Sequence, residues 1–402
     1  MKKKTDLGGL CMKEFTAVKN RRNTSSMKWD RMDRIYGIEN TEDILPMWIA
    51  DMDFSAPQPV IDALKERLDH GVFGYSYVCE DCKDAIREWM SNKHGWRTKN
   101  EWMLSHHGVV PAIASVVETL TNEGDSILIT PPVYPPFSGI PSLQNRTLEE
   151  CTLIDKNGTY EIDFVKFEES LKRDVRLFIF CNPHNPGGIV WPVPVLQEIV
   201  RLCAKYDVLI LSDEIHADLV FAPYNHTPLH TVAGDEGNRI ITCVAPTKTF
   251  NLAGIQAAMM IIPDEGLREQ LRDNGMAHGQ MELNAFANVA LKTAYRHGEP
   301  WLEKLLTTVS DNMDYVIETL PSRVPGVKIT KPQGTYLLWI DYRGTGLTED
   351  EIMDKLLNKG KLALEPGTKY GEAGRGFLRM NVATCLSTVQ DGVARFIKGM
   401  EN

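Results

Sequence analysis

The chain lacks any run approaching the ~20 consecutive apolar residues that a bilayer-spanning helix requires. Lys2, Lys3 and Lys4 look like the opening of a signal peptide, but no apolar stretch follows them. Met12 offers a second start, so residues 1–19 are expected to form a flexible N-terminal extension, and the protein reads as soluble and cytoplasmic with no membrane partner. A dense Lys/Arg stripe is also missing, and the formal net charge is −10, which argues against a nucleic-acid partner. There is no internal repeat and no low-complexity tract. The eight cysteines form no metal framework: Cys79 and Cys82 are the one pair at redox or metal spacing, and no second pair accompanies them. Reduced thiols packed as small apolar residues are expected, with no metal.

What is present is an ordinary globular composition, 43% hydrophobic and 24% charged, in a chain too long for a single core. Its middle alternates short β-rich runs, at 126–130, 177–181, 208–213, 240–245 and 257–262, with helical patterns. The pattern at 111–120 starts with Pro111 at its first helical position and repeats apolar residues at Ile113, Val116, Val117 and Leu120. Others cover 195–206 and 57–68. Continuous apolar strands separated by helices predict an α/β fold, a mostly parallel sheet covered by helices on both faces. Past residue 296, helical patterns lead to strand-like stretches at 334–340 and 376–382. The expected division is a large domain at 58–295 and a smaller α+β domain built from 20–57 and 296–402.

Ligands of open α/β sheets bind beyond the carboxyl ends of the strands, and three polar segments fall there. The strand at 177–181 runs into NPHNPGG (182–188), that at 208–212 into DEIH (213–216), and that at 240–245 into PTKTFNLAG (246–254). Lys248 is either a surface lysine in a strand–helix turn or a partly buried amine, neutral enough to form an imine. Asp213 is either a helix N-cap or, following the apolar run 208–211, a buried carboxylate that needs a cationic partner such as a pyridinium nitrogen. In NPHNPGG the plain reading is a turn. The functional one has Asn185 donating to a ring oxygen, with Gly187 and Gly188 permitting close backbone approach. SHHGVVP (105–111) leads into a helix start suited to an anion, and PVYPP (132–136) places Tyr134 either over a cofactor ring or over the sheet edge. Arg379, amid strand-like apolar residues, needs an anionic partner: a substrate carboxylate, which its bidentate fork suits, or an internal Asp or Glu.

Together these segments resemble the fold-type I pyridoxal 5′-phosphate (PLP) enzymes of the class I/II aminotransferase superfamily. Within it, RRNTSSMKWD (21–30), PMWIADMDF (46–54), SDEIHAD (212–218) and APTKTFNLAG (245–254) resemble the MalY/PatB-type carbon–sulfur lyases, the cystathionine β-lyases. The resemblance implies a PLP-dependent transferase-like fold and PLP as cofactor, with Lys248 as Schiff-base lysine and proton-transferring base. It further implies Asp213 on the pyridine nitrogen, Asn185 and His216 at the ring hydroxyl, Tyr134 stacked on the ring, and Gly108, Val109 and Thr247 at the phosphate. Tyr75 would reach the neighbouring subunit's cofactor, making a homodimer with shared active sites. Arg379, with Asn185 and Ala50, would bind the substrate, a small amino acid. The implied reaction is β-elimination from L-cystathionine or a related S-substituted L-cysteine, giving pyruvate, ammonia and a thiol. Aminotransferase activity and a regulatory protein-binding role remain as alternatives. Gln256 stands where many relatives of the superfamily carry a phosphate-binding arginine, and His216 where many carry a tyrosine.

Overall fold

The computed structural model describes residues 15–17, 19–280 and 282–401; most of the expected N-terminal extension lies outside them. Phe15 is buried, its ring 4.9 Å from that of Phe54 and 5.3 Å from that of Trp301.

In chain order the strands used below are β1 (Leu45–Pro46), β2 (Met103–His106), β3 (Ser126–Ile129), β4 (Thr147–Glu150), β5 (Val175–Cys181), β6 (Leu209–Asp213), β7 (Ile240–Val244) and β8 (Ala258–Ile261). They are followed by β9 (Lys328–Ile329), β10 (Leu337–Asp341), β11 (Leu362–Ala363), β12 (Glu365–Pro366) and β13 (Phe377–Asn381). Seven of them form one sheet in the order β2-β8-β7-β6-β5-β3-β4. β4, β3, β5, β6 and β7 pair in parallel; β8 is antiparallel to both its neighbours. The mostly parallel α/β sheet expected from the sequence is therefore present, with β2 and β4 added at its edges.

Alternation along β5 shows how both faces are covered. Phe178 and Phe180 pack with Leu196, Ile199 and Val200 of the helix Val193–Lys205. Leu177 and Ile179 face the other way, onto Ile113, Val116 and Val117 of the helix Val109–Leu120. Each such side chain, taken from water, contributes roughly 1.5–3 kcal/mol before conformational entropy is set against it.

The second helix begins two residues before the predicted start. Gly108 caps it at φ +133°, which puts Pro111 third in the helix. The first four N–H groups of a helix have no internal acceptor, so proline costs no hydrogen bond at the third position either.

β9-β10-β13-β12 form a four-stranded antiparallel sheet. The strand expected at 334–340 begins at Leu337, because Gly334 bridges to Val220 and Thr335 has φ +70°. β1 pairs in parallel with β11, bringing an early segment against a late one.

Candidate active site

β6 and β7 are adjacent and parallel, and their carboxyl ends carry the two groups the sequence singled out. Asp213 closes β6, lying between Cys181 of β5 and Cys243 of β7 in the ladder. It is 4% exposed, and burial pushes its pKa up to about 7, against the Ile215 N–H at 3.1 Å and the Lys248 charge, which favour ionisation. Lys248 lies in the helical turn Pro246–Thr249 just past β7. Burial, reinforced by the Arg379 charge, lowers its pKa to about 8 despite the opposing pull of Asp51, Asp213 and Glu365. The surface-lysine reading of Lys248 and the N-cap reading of Asp213 both give way to two desolvated groups that feel each other's charge.

The Lys248 amine donates to the carbonyl of Ala50, which also accepts from Tyr336 Oη at 3.0 Å. Ala50 belongs to an irregular segment held from several sides. Asn381 Nδ2 donates to the carbonyls of Ile49 (2.7 Å) and Asp51 (2.6 Å), and Asn251 Nδ2 to those of Met52 (3.0 Å) and Phe54 (2.8 Å). Arg21 pairs with Asp51 at 2.6 Å and Asp53 at 3.0 Å, while Lys28, 1% exposed, pairs with Asp53 at 2.9 Å. Trp29 Nε1 adds a bond to Asp53 at 3.1 Å. The segments 21–30 and 46–54 thus meet as a charge-balanced cluster of two cations and two carboxylates. Sequence reasoning marked both as distinctive without seeing that they bind each other.

Arg379, on β13, is buried and donates Nη1 to Asn185 Oδ1 (3.1 Å) and Nη2 to the Trp48 carbonyl (3.0 Å) and to Glu365. The internal acidic partner weighed against a substrate carboxylate is therefore present; Nε, though buried, has no hydrogen-bond partner among the described residues. Because the Asn185 oxygen is committed to Arg379, its amide offers N–H donors to anything else nearby. His216 is buried, its Nδ1 unpartnered, and burial followed by the Lys248 and Arg379 charges lowers its pKa to about 3, which keeps the imidazole neutral. Burial raises the Tyr134 phenol to about 12.

At the start of the helix Val109–Leu120, Val109 and Val110 present N–H groups that lack intrahelical acceptors. Thr247 is buried beside Lys248, whereas Gln256 is exposed at φ +57°. His106 is buried with Nδ1 unpartnered, and burial takes its pKa to about 4, so it supplies no cation at neutral pH. Gly188, at φ +65°, serves a different neighbour from the one expected: a Cβ there would lie 2.3 Å from Cβ of Pro332, so the close approach is to the chain itself. Tyr75 is fully exposed, on an extended stretch where Val72, Phe73 and Tyr77 are exposed too.

Sequence reasoning missed Asp218. Its carboxylate accepts from Trp89 Nε1 (2.8 Å) and Thr249 Oγ1 (2.7 Å) and pairs with His94 Nε2 (2.7 Å), tying the residue after Lys248 to the segment after β6. SDEIHAD contained it, but only contact with Thr249 reveals its task.

A lysine and a carboxylate desolvated at neighbouring strand ends, beside a helix N-terminus and a buried arginine, define an α/β enzyme of the PLP-dependent transferase-like fold. The model for aminotransferase class I and II matches residues 42–396, and the chain belongs to that family. It is 43% identical over 382 residues to cystathionine beta-lyase PatB of Bacillus subtilis (strain 168), covering 95% of this chain and 98% of the relative. A PLP-bound structure from Clostridium difficile 630, provisionally described as an aminotransferase, superposes with a TM-score of 0.94 at 38% identity, covering 96% and 99% of the two chains. Cystalysin from Treponema denticola, which contains PLP, gives 0.93 at 33% identity, covering 96% and 98%.

Proposed function

We propose that this protein is a PLP-dependent carbon–sulfur β-lyase that converts L-cystathionine or related S-substituted L-cysteines, with water, to pyruvate, ammonia and a thiol. The observation that carries the chemistry is the amine of Lys248, brought to about 8 beside an acid brought to about 7. The choice of reaction is supported by the 43% identity to a cystathionine β-lyase over nearly the whole chain.

The residues fit the cofactor on the structure's own terms. Asp213 is a buried carboxylate whose high pKa reports an unmet need for positive charge, and a protonated pyridine nitrogen meets it. The orphaned Nδ1 of His216 and the N–H donors of Asn185 suit a ring hydroxyl. Tyr134 would stack on the ring, and Gly108, Val109 and Thr247 would receive the phosphate. When bound, PLP supplies an electron-accepting ring conjugated to the substrate's Cα.

The chain's own residues do the rest. Lys248 would hold the cofactor through its amine. Its freed amine then takes the Cα proton, a contribution of roughly 10²–10⁴-fold for a positioned base. Asp213 would keep a bound ring nitrogen protonated, and the substrate sulfur would leave Cβ as thiolate. Arg379, with Asn185 and the backbone at Ala50, orients the α-carboxylate. We further infer a cytoplasmic homodimer in which Tyr75 serves the partner's site; the exposed apolar stretch around it supports that reading. The large unit is 58–295, and the smaller one combines 20–57 with 296–402, a division the β1–β11 pairing supports.

The deciding measurement is turnover of L-cystathionine with no keto acid supplied. Elimination consumes no amino acceptor, so continuous release of pyruvate, ammonia and thiol is expected. A single turnover that resumes only on adding a keto acid would identify an aminotransferase.

A further inference from the structure

Glu365 on β12 stands directly opposite Arg379 on β13 in the antiparallel ladder. Their side chains are 10% and 4% exposed, so the pair is nearly out of water. The Glu365 carboxylate takes three donors: Arg379 Nη2, Tyr370 Oη at 2.6 Å and Lys369 Nζ at 3.1 Å. Burial raises its pKa, but Arg379 and Lys369 outweigh burial, and the group lies below the usual carboxylate range. Arg379 is accordingly no free cation. Its Nη2 serves Glu365 and the Trp48 carbonyl, its Nη1 serves Asn185, and Nε is the buried edge left without a partner.

Charge arithmetic then poses a difficulty for a substrate carboxylate. Arg379 and Glu365 cancel, so an incoming anion meets a neutral pair whose negative member is close by. Lys369, 42% exposed with its Nζ 5.7 Å from the centre of the Trp48 ring, contributes the one uncompensated positive charge among these three groups.

We propose that Glu365 and Lys369 are positioning residues of the substrate-carboxylate clamp. Glu365 fixes the guanidinium so that its unpaired edge is presented, and Lys369 restores the positive charge that this pairing cancels. The proposal rests on the reading of Arg379 as that clamp. Its consequence is selectivity for α-amino acids with a free carboxylate that depends on a lysine at the rim as much as on the buried arginine.

The test uses the holoenzyme and two readouts: KM and kcat for L-cystathionine and, whichever reaction follows, the apparent Kd of glycine from the cofactor's absorbance change. Lys369→Met should raise KM and Kd roughly fivefold with kcat nearly unchanged, and added salt should shrink the difference. Lys369→Glu, at the same exposed position, should raise both further. The decisive variant is Glu365→Gln combined with Lys369→Met: the amide keeps an oxygen to accept from Arg379 while its charge is gone, and one net positive charge remains, so Kd should return close to the parent value, whereas a purely structural triad would be weakened further by the second change. No recovery in a folded double variant overturns the proposal. Should that variant not fold, unchanged Kd in Lys369→Met and Lys369→Glu overturns it equally. Arg379→Lys separates the two readings: if it leaves Kd unchanged, the clamp itself falls and this inference with it. If it weakens binding while both Lys369 variants bind normally, the clamp stands and only the role of Lys369 and Glu365 falls.

Discussion

At the scale of single residues, the site depends on burial moving two groups toward each other on the pH axis. An ordinary lysine is neutral in about one molecule in three thousand at pH 7; with its pKa near 8, Lys248 is neutral in about one in ten. Only the neutral amine attacks an aldehyde. Because the pKa is lowered, the reactive form is lost as pH falls below about 8 and gained as pH rises through it. Uptake of PLP by cofactor-free protein should therefore quicken between pH 6 and 8 and level off above. Borohydride reduction followed by peptide mapping should place the label on Lys248; a label on another lysine, or a rate still climbing at pH 10, would contradict the assignment. Lys248 and Asp213 were legible because one follows and the other ends a continuous apolar strand, where a charged side chain stands out. Glu365 was not. In LEPGTKYG (364–371) it reads as the lead-in to a turn, and its partner becomes visible only when β12 and β13 are aligned.

Among the elements, the five central strands of the large sheet are anchored by burial, while the segment that meets Lys248 is irregular and held by side chains. Apolar periodicity revealed the first kind and was silent on the second, since hydrogen bonds from Asn251, Asn381, Lys28 and Arg21 follow no period. The exposed edge strand β4 was missed for a related reason: Thr147–Glu150 carries no fully buried residue, so it lacks the apolar run that marked its neighbours. The ion cluster makes a stability prediction. Asp53→Ala leaves Lys28, 1% exposed, with Asp51 at 3.9 Å as its remaining carboxylate. Removing one partner of a buried ion pair costs roughly 3–5 kcal/mol, less where a second carboxylate remains in reach, to be read as a lower urea midpoint of the holoenzyme. A change within ~0.5 kcal/mol would mean that the cluster is well hydrated and does not brace the segment.

For the whole molecule, the exposed stretch bearing Val72, Phe73, Tyr75 and Tyr77 predicts a twofold assembly in which each chain completes the other's site. A Tyr75→Phe variant and a Lys248→Ala variant, each with little activity alone, should regain part of it on mixing, because one site of the hybrid then carries both side chains. Subunit exchange is verified first with differently tagged chains. A confirmed hybrid population without regained activity would assign Tyr75 to its own chain's surface.

The parallel pairing of β1 with β11, and the bonds from Asn381 to Ile49 and Asp51, also bear on how the enzyme is made. A ribosome adds about 5–20 residues per second, so residues 45–51 wait on the order of tens of seconds for the partners that fix them. Asp213 and Lys248 leave the ribosome during that interval, ahead of Arg379. The order of translation is therefore fixed at the site: the segments that carry Asp213 and Lys248 come first, and the strand that carries Arg379 comes last.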